Sequence, residues 1–420
     1  MMNGWIECKL GEIITYQNGR SMEHLFSQYG KYKVISIGNY SLDSRYIDNK
    51  VRIDEKNFSE FMKFIPHKNE LTMILNDKTS TGEIIGRVLL IDESDRYVIN
   101  QRTLRITLPE NVSPLFFYYL LNSNIVRKSI LDSAKPGTQI YINTPDVLGI
   151  CIHFPINVKE QMAIAAVLSD TDALIAAMEK LIAKKRAIKQ GAMQELLTGK
   201  RRLSGFSGKW VEKGMEEVIE RFATGLNPRQ NFVLNSGGLN YYVTIKNFFD
   251  GTLYLDNECD KIDDIALDLI NARSDLKKDD ILFSSIGRVG DAYLITETPH
   301  NWNINESVFA LRPNKAFVAP KFLFYILKSE PIQQSLSNNS TGSTLMSIKM
   351  GHLKTITFSM PQTIAEQTAI ASILSDMDAE IDALTKKLNK IKQIKQGMMS
   401  ELLTGRIRLA EKEDIKNGKN

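Results

Sequence analysis

Apolar positions recur in steps of three and four along two long stretches of this chain. In residues 366–409, Leu374, Met377, Ile381, Leu384, Leu388, Ile391 and Met398 form such a series, with a single gap at Lys395. That spacing is a heptad seam on one side of a helix. Residues 160–203 carry the equivalent Leu168, Ile175, Met178 and Ile182, and Val167, Leu174, Leu181 and Ile188 widen the stripe. Each stretch follows a proline-bearing lead-in, FPINVKEQ or MPQTIAEQ, and stops at Thr-Gly, a reasonable helix terminus. About 38 helical residues at about 1.5 Å each make a rod of about 57 Å. A seam of that length is covered only by a matching helix, so the two helices are expected to pair with each other.

The two stretches are copies. EQMAIAAVLSDTDALIAAMEKLIAKKRAIKQGAMQELLTGKRRL aligns without a gap on EQTAIASILSDMDAEIDALTKKLNKIKQIKQGMMSELLTGRIRL, and 26 of the 44 positions are identical. Weaker matches extend upstream. GWIECKLGEI parallels GKWVEKGMEEV, VISIGNYSLDSRYI parallels YVTIKNFFDGTLYL, and SPLFFYYLLNS parallels APKFLFYILKS. LTMILNDKTSTGEIIGRVLLI and ILFSSIGRVGDAYLI share Ile-Gly-Arg. Nearly the whole chain is therefore two copies of one unit. The fold expected is α+β: two pseudo-repeated α/β domains separated by two long helices that form an antiparallel coiled coil. The expected segments are a first domain over 1–157, a central helix over 158–200, a second domain over 206–360, a C-terminal helix over 361–405 and a tail over 406–420. Inside the domains KYKVISI, YVINQRTLRITL and LGICIHF read as strand-rich segments, and the aromatic runs FFYYLL and FLFYIL read as core. Gly191 and Gly397, near the end of each rod, point to close approach of another backbone or to shared descent.

Composition adds exclusions. With 420 residues, 43% hydrophobic and 24% charged, the chain is an ordinary globular protein large enough for two cores. No run of eighteen apolar residues occurs and the first residues lack a signal-peptide core, so a cytoplasmic location is expected. The three cysteines and five histidines are scattered without metal-like spacing, so no metal site is expected. Net charge is +4, but residues 1–157 carry +1, residues 206–360 carry −2 and residues 158–205 carry +4. Any nucleic-acid surface on the domains must then be a local patch. No G-x-x-x-x-G-K-[ST] loop, no G-x-G-x-x-G after a strand and no methyltransferase tetrapeptide occurs. The chain is expected to bind rather than catalyse, with no cofactor of its own.

The order of domain, EQ…IA…LS.(T/M)D, KQG.M.ELLTG, second domain and second copy resembles the specificity subunit of Type I restriction–modification systems. That resemblance implies two target recognition domains, each reading one part of a bipartite DNA sequence, and two helices that act as a ruler for the spacer. It also implies two modification subunits, which are methyltransferases, and restriction subunits with translocase and nuclease activity. S-adenosylmethionine, ATP and Mg then belong to those partners. An antiparallel rod of about 57 Å would span about 17 base pairs at about 3.4 Å each.

Base readout favours Arg on guanine and Asn or Gln on adenine, while Lys, Ser and Thr hold phosphates. Polar and basic residues in turn-rich segments are the candidates. In the first domain these are Arg20, Lys78, Thr79, Arg87, Lys135, Gln139, Tyr141 and Asn143. In the second they are Arg229, Arg288, Trp302, Asn303, Ser343, Thr344 and Lys349. Each is weighed against an ordinary solvated loop residue; Arg87 and Arg288 stand out through the shared Ile-Gly-Arg. Lys184, Lys185, Arg186 and Lys189 form a basic cluster that is a solvated helix face or a contact to DNA or a partner. The motif ends MQELLTG and MSELLTG are expected to build a junction with a domain or a partner. The competing class is an adaptor whose coiled coil joins two protein-binding heads, separable from a DNA reader by a salt-dependent gel shift.

Overall fold

The computed structural model describes residues 4–79, 81–137, 139–249, 251–340 and 346–409. The chain divides into two compact units, Met1–Glu179 with Lys386–Asn420, and Lys180–Thr385. Each of the two long helices, Val158–Leu196 and Ile364–Leu402, is therefore cut near its middle and gives one half to each unit. The units do not follow the chain order of domain then helix. A unit holds one head, the start of that head's own helix and the end of the other copy's helix.

The first head is built on two sheets. One is antiparallel, in the order Thr15–Asn18, Thr103–Thr107, Leu71–Ile74, Val88–Leu90. The other runs Phe26–Ser27, Arg52–Ile53, Tyr32–Ile35, Tyr97–Ile99, and its last pair is parallel, with Val34 opposite Val98. YVINQRTLRITL thus feeds both sheets, and it breaks at Arg102, whose φ is +63°. A ribbon of Trp5–Lys9 with Cys151–Pro155 closes the head beside the long helix. Ser113 caps the aromatic helix Pro114–Leu121 through its hydroxyl. Phe116, Phe117, Tyr119, Leu120 and Leu121 of that helix are buried in the core.

The second head repeats the plan. Its antiparallel sheet runs Ile219–Thr224, Val308–Pro313, Ile281–Ser284, Ala292–Leu294. Lys261–Ile262, Asn240–Val243 and Trp302–Ile304 form the other sheet, again with a parallel last pair, and Trp210–Gly214 with Thr357–Pro361 form the ribbon. Helix Asp264–Ser274, capped by Asp263, stands where the first head has only short turns over Glu55–Phe64.

Within each unit the helix halves run antiparallel. Asp172 meets Lys395 and Glu179 meets Lys392 in the first; Lys185 meets Glu380 and Lys189 meets Asp378 in the second. The seam residues Leu168, Ile175, Met178 and Leu388 are buried in the first unit, and Ile182, Leu374 and Ile381 in the second. Met377, Leu384 and Ile391 are half-buried. The widened stripe behaves differently: Leu174, Leu181 and Ile188 are 49%, 39% and 48% exposed. A two-helix seam covers only a narrow face, so a wider apolar stripe is left outside it. At Gly191 and Gly397 an added Cβ would meet nothing within 4 Å, so close backbone approach is not what these glycines serve.

Val158–Leu196 is long and apolar enough to cross a membrane by length and composition alone. Asp172 within it is bonded to Tyr119 and Lys395, and Gln161 to the backbone of the head.

Candidate nucleic-acid interface

In the first head, one edge collects most of the sequence candidates. The strand pair Asn76–Asp77 with Ile140–Tyr141 is its floor. Asp77 is buried and folds the following loop around its carboxylate. It accepts the Ile84 N–H at 2.7 Å, the Thr79 N–H at 2.8 Å and the Thr79 hydroxyl at 2.9 Å. Burial alone would push its carboxyl up, but these donors outweigh it and hold the pKa below the ordinary value. Lys78 is carried outward by that turn, exposed. Gln139 accepts from Asn76 Nδ2 at 3.1 Å, and Lys135 N–H donates to Tyr141 O at 2.7 Å. Lys135 and Asn143 both reach Asp146 at 3.3 Å, and Thr144 donates to Asn18 at 2.8 Å, two residues before exposed Arg20. Lys78, Thr79, Lys135, Gln139, Tyr141 and Asn143 are thus brought together, with Arg20 on the adjoining strand end. Arg87 lies apart, in a cavity of about 300 Å³ beside Asp43, Tyr118 and Lys395.

Arg127, which no sequence signal marked, shapes this edge from beneath. It is buried and donates to Ile85 O at 2.9 Å, Glu83 O at 2.9 Å and Gly82 O at 3.4 Å. Burial foremost, with Arg87 nearby, pushes its guanidinium down to about 10. It thereby satisfies carbonyls of the loop above it, sharing Glu83 O with Arg87 Nε at 3.3 Å.

The second head fills the same place differently. Ile286 bridges Ser347, Gly287 N–H donates to Met346 O at 2.8 Å, and Ile348 N–H to Ser285 O at 2.9 Å. Lys349 is exposed at the head of helix Met350–Lys354, and Arg229 is exposed. Ser343 and Thr344 lie outside the described residues. An open groove along the edge strand Ile219–Thr224 is lined by Arg221, Thr224, Arg273 and Lys349. Arg221 and Arg273 were not among the sequence candidates, because strand and helix positions were passed over for turns.

Two expectations are corrected here. Trp302 and Asn303 do not reach a surface: they form a short strand, 8% and 0% exposed. Asn303 accepts from the Ser274 hydroxyl at 2.8 Å and donates to Asn271 Oδ1 at 2.6 Å, so its amide is spent inside the head. Arg288 holds its own turn, bonding Asp291 at 2.6 Å and the carbonyls of Ile245 and Phe248 at 2.9 and 3.1 Å. The shared Ile-Gly-Arg is also not one structural site. Gly86 and Gly290 are the equivalents, both at positive φ, with N–H groups donating to Ile74 O and Ser284 O. Asp291 therefore stands in the place of Arg87, and Gly287 in that of Asp77. The loop over 75–87 is longer than that over 285–291, which puts Ile-Gly-Arg at the end of one and the start of the other.

The helix motifs act where a head meets its helices. Gln161 and Gln367 are 1% and 0% exposed. Gln161 accepts the Ser113 N–H and donates to Pro155 O, both at 2.8 Å. Gln367 accepts the Ala319 N–H at 2.8 Å and donates to Pro361 O at 2.9 Å and Phe317 O at 3.0 Å. Arg408 grips Glu160 at 2.6 and 2.9 Å, and Arg202 grips Glu366 at 2.7 and 2.8 Å. Leu402 and Leu403 are buried in the first head's core, and Leu196 and Leu197 in the second's. Each such leucine is worth about 1.5–3 kcal/mol. The ELLTG ends therefore build the junction with the other copy's head, which explains why the chain carries the motif twice. Glu195 and Glu401 pair locally with Arg201 and Arg406. Gly199, at φ +71°, ends its helix with its α-carbon facing the Trp210 ring, where a Cβ would come within 3.1 Å.

Among the described residues no group of three His, Cys, Asp or Glu side chains is placed to hold a metal ion. The fold and site define a two-headed recognition protein built on a paired-helix frame. The family of the Type I restriction modification DNA specificity domain matches residues 2–185 and again residues 208–393, and the chain belongs to that family. It is similar to the putative type I restriction enzyme MjaX specificity subunit of Methanocaldococcus jannaschii, 24% identical over 384 residues, covering 86% of this chain and 85% of that one. It also resembles the EcoBI specificity subunit of Escherichia coli, 22% identical over 356 residues, covering 78% and 73%. Among solved structures, the S subunit of a Type I restriction–modification system from M. genitalium shares the fold. The TM-score is 0.59 at 20% identity, over 95% of this chain and 96% of that one. The chain is thus a DNA-specificity subunit with two recognition domains, the recognising rather than the catalysing part of a restriction–modification system.

Proposed function

We propose that the two heads read the two halves of a bipartite DNA target, and that the chain assembles with two modification subunits and with restriction subunits in the cytoplasm. S-adenosylmethionine, ATP and Mg serve those partners. The observation that carries this reading is the pairing of a repeated frame with unlike edges. In the first head, amides and Lys78 gather around Asp77; in the second, cations gather along Ile219–Thr224. A shared frame with different polar edges suits two unlike half-sites.

In the first head we assign base and phosphate contacts to Lys78, Thr79, Lys135, Gln139, Tyr141, Asn143 and Arg20, with Arg87 apart from them. In the second, Lys349 and Arg229 remain candidates, joined by Arg221 and Arg273. The test is to map methylation in cells carrying this chain with its modification subunit, and to repeat it with Lys78→Ala and Gln139→Ala. The expected motif has two parts around an unspecified spacer, and the substitutions relax one part only. A continuous motif, or relaxation of both parts together, would overturn the reading. In vitro, DNA binding by the complex should weaken steeply with salt, as phosphate contacts require; a complex that ignores DNA would favour an adaptor.

A further inference from the structure

Each unit holds a cross-helix ion pair that also takes in a tyrosine of its head. In the first unit Asp172 accepts from Lys395 Nζ at 2.7 Å and from the Tyr119 hydroxyl at 2.8 Å. The Lys395 ammonium also lies 5.5 Å from the centre of the Tyr119 ring. In the second unit Asp378 accepts from Lys189 and from the Tyr325 hydroxyl, the latter at 2.7 Å, and Lys189 lies 5.7 Å from that ring. Tyr119 and Tyr325, Asp172 and Asp378, and Lys189 and Lys395 are each 206 positions apart. The other cross-helix pairs do not repeat. Lys392 with Glu179 and Lys185 with Glu380 are confined to one unit each, and the positions matching Lys185 and Glu380 are Ile391 and Leu174.

An apolar heptad seam tolerates sliding by whole repeats, because leucine-like side chains fit one another's holes in several registers. A polar group at a seam position removes that freedom, since only one register gives it a partner. Lys395 sits at the one gap in the heptad series, and its side chain is only 22% exposed, as Asp172's is 27% exposed. A shift by one heptad in either direction would take Asp172 away from Lys395 and set it, half-buried, against Leu388 or Leu402. The tyrosine adds a third element. Its ring belongs to the head's aromatic helix and its hydroxyl is bonded to the aspartate, so the same carboxylate fixes helix against helix and head against helix.

We propose that Tyr119–Asp172–Lys395 and Tyr325–Asp378–Lys189 are positioning residues that set the register of the helix pair beneath each head, and that the spacer length accepted between half-sites depends on that register. The inference rests on the bipartite reading proposed above. The experiment uses the full chain in complex with its modification subunits. Methylation and binding are measured on duplexes carrying both half-sites with the natural spacer, and with spacers one base pair shorter and one longer. The paired Tyr119→Phe and Tyr325→Phe substitutions keep the rings and remove both hydroxyls. They should cut discrimination against the wrong spacers about tenfold while base preference within each half-site stays unchanged. Asp172→Lys alone should cost more, and Asp172→Lys with Lys395→Asp should recover discrimination to within about threefold of the parent. Folded tyrosine variants with an unchanged spacer profile would overturn the inference, as would a reversed pair that recovers nothing. If the parent complex shows no two-part requirement, the bipartite reading itself has failed and takes this inference with it. A parent that requires both parts beside variants that keep its spacer profile sinks the register role alone.

Discussion

The junctions between heads and helices repeat nearly bond for bond, whereas the edges that face outward do not. Gln161 and Gln367 satisfy the same two backbone sites, Arg408 and Arg202 grip the same glutamates, and Asp172 and Asp378 collect the same partners. At the edges, Asp77 with its ring of donors is matched by Gly287, and Arg87 by Asp291. Positions held by buried, mutually satisfied polar groups cannot drift without leaving a partner unpaired in the interior, at about 1–3 kcal/mol each. Exposed loop positions carry no such debt and are free to take up a different reading chemistry.

The comparison is broken most directly at the glutamates, which look alike but are not equally dependent on arginine. Glu366 is 3% exposed and its carboxylate is gripped by Arg202, while the Trp210 Nε1 has no acceptor among the described residues. Glu160 also accepts from Trp5 Nε1 at 3.3 Å, and its Arg408 is half exposed. Arg202→Ala should destabilise the second unit by about 3 kcal/mol, the cost of a buried charge left without its partner. Arg408→Ala should cost the first unit clearly less. Hydrogen exchange resolved by peptide, read at residues 364–370 and 158–164, checks this; equal losses would show that the tryptophan contact contributes nothing.

A second difference lies inside the heads. Asn303 occupies the place that Val98 holds in the first head, opposite Tyr242 and Val34 respectively on the parallel strand pair. Both are fully buried. Asn303→Val imports the first head's residue but removes two buried-side bonds, leaving the Ser274 hydroxyl only its bond to Ile270 O and exposed Asn271 Oδ1 to water. The expected loss is about 2 kcal/mol in urea unfolding, with no change in the salt dependence of DNA binding. A stable variant with altered base preference would mean that the amide reads DNA after all.

Asn303 also shows where sequence reading ends. The long helices were legible because 44 aligned positions and a heptad seam are long-range signals that local accidents cannot erase. The ELLTG ends were legible as a repeat, but not as the piece that completes the opposite head, since leucines at a helix end look the same whichever core they enter. Trp302–Ile304 is three residues long and covered on both faces, so it shows no alternation and its Asn reads as a turn former. Lys78, Gln139 and Tyr141 could be chosen as loop polars, yet their meeting at one edge depends on a two-residue strand pair that no periodicity announces. Arg127 was invisible for the same reason: its three carbonyl partners lie more than forty positions away.

The smallest effect separates the edges themselves by pH. Asp77 is held below its ordinary pKa because backbone and hydroxyl donors outweigh the upward push of burial. A depressed folded-state pKa means that the carboxylate stabilises the loop fully above the unfolded value of about 3.9, and that this contribution fades as pH falls through the lower folded value. Amides of Thr79 and Ile84 should therefore be protected at pH 5, after correction for intrinsic exchange, and lose part of that protection as acid is added below the ordinary carboxylate range. Gly287 offers no carboxylate in the second head, so the loop over 285–291 should show no matching step from that position. Asp77→Asn should flatten the first head's pH response and weaken the hold on Lys78. If the two loops lose protection together, the difference read from Asp77 is not what separates the two edges, and the cause must be sought in the sheets they share.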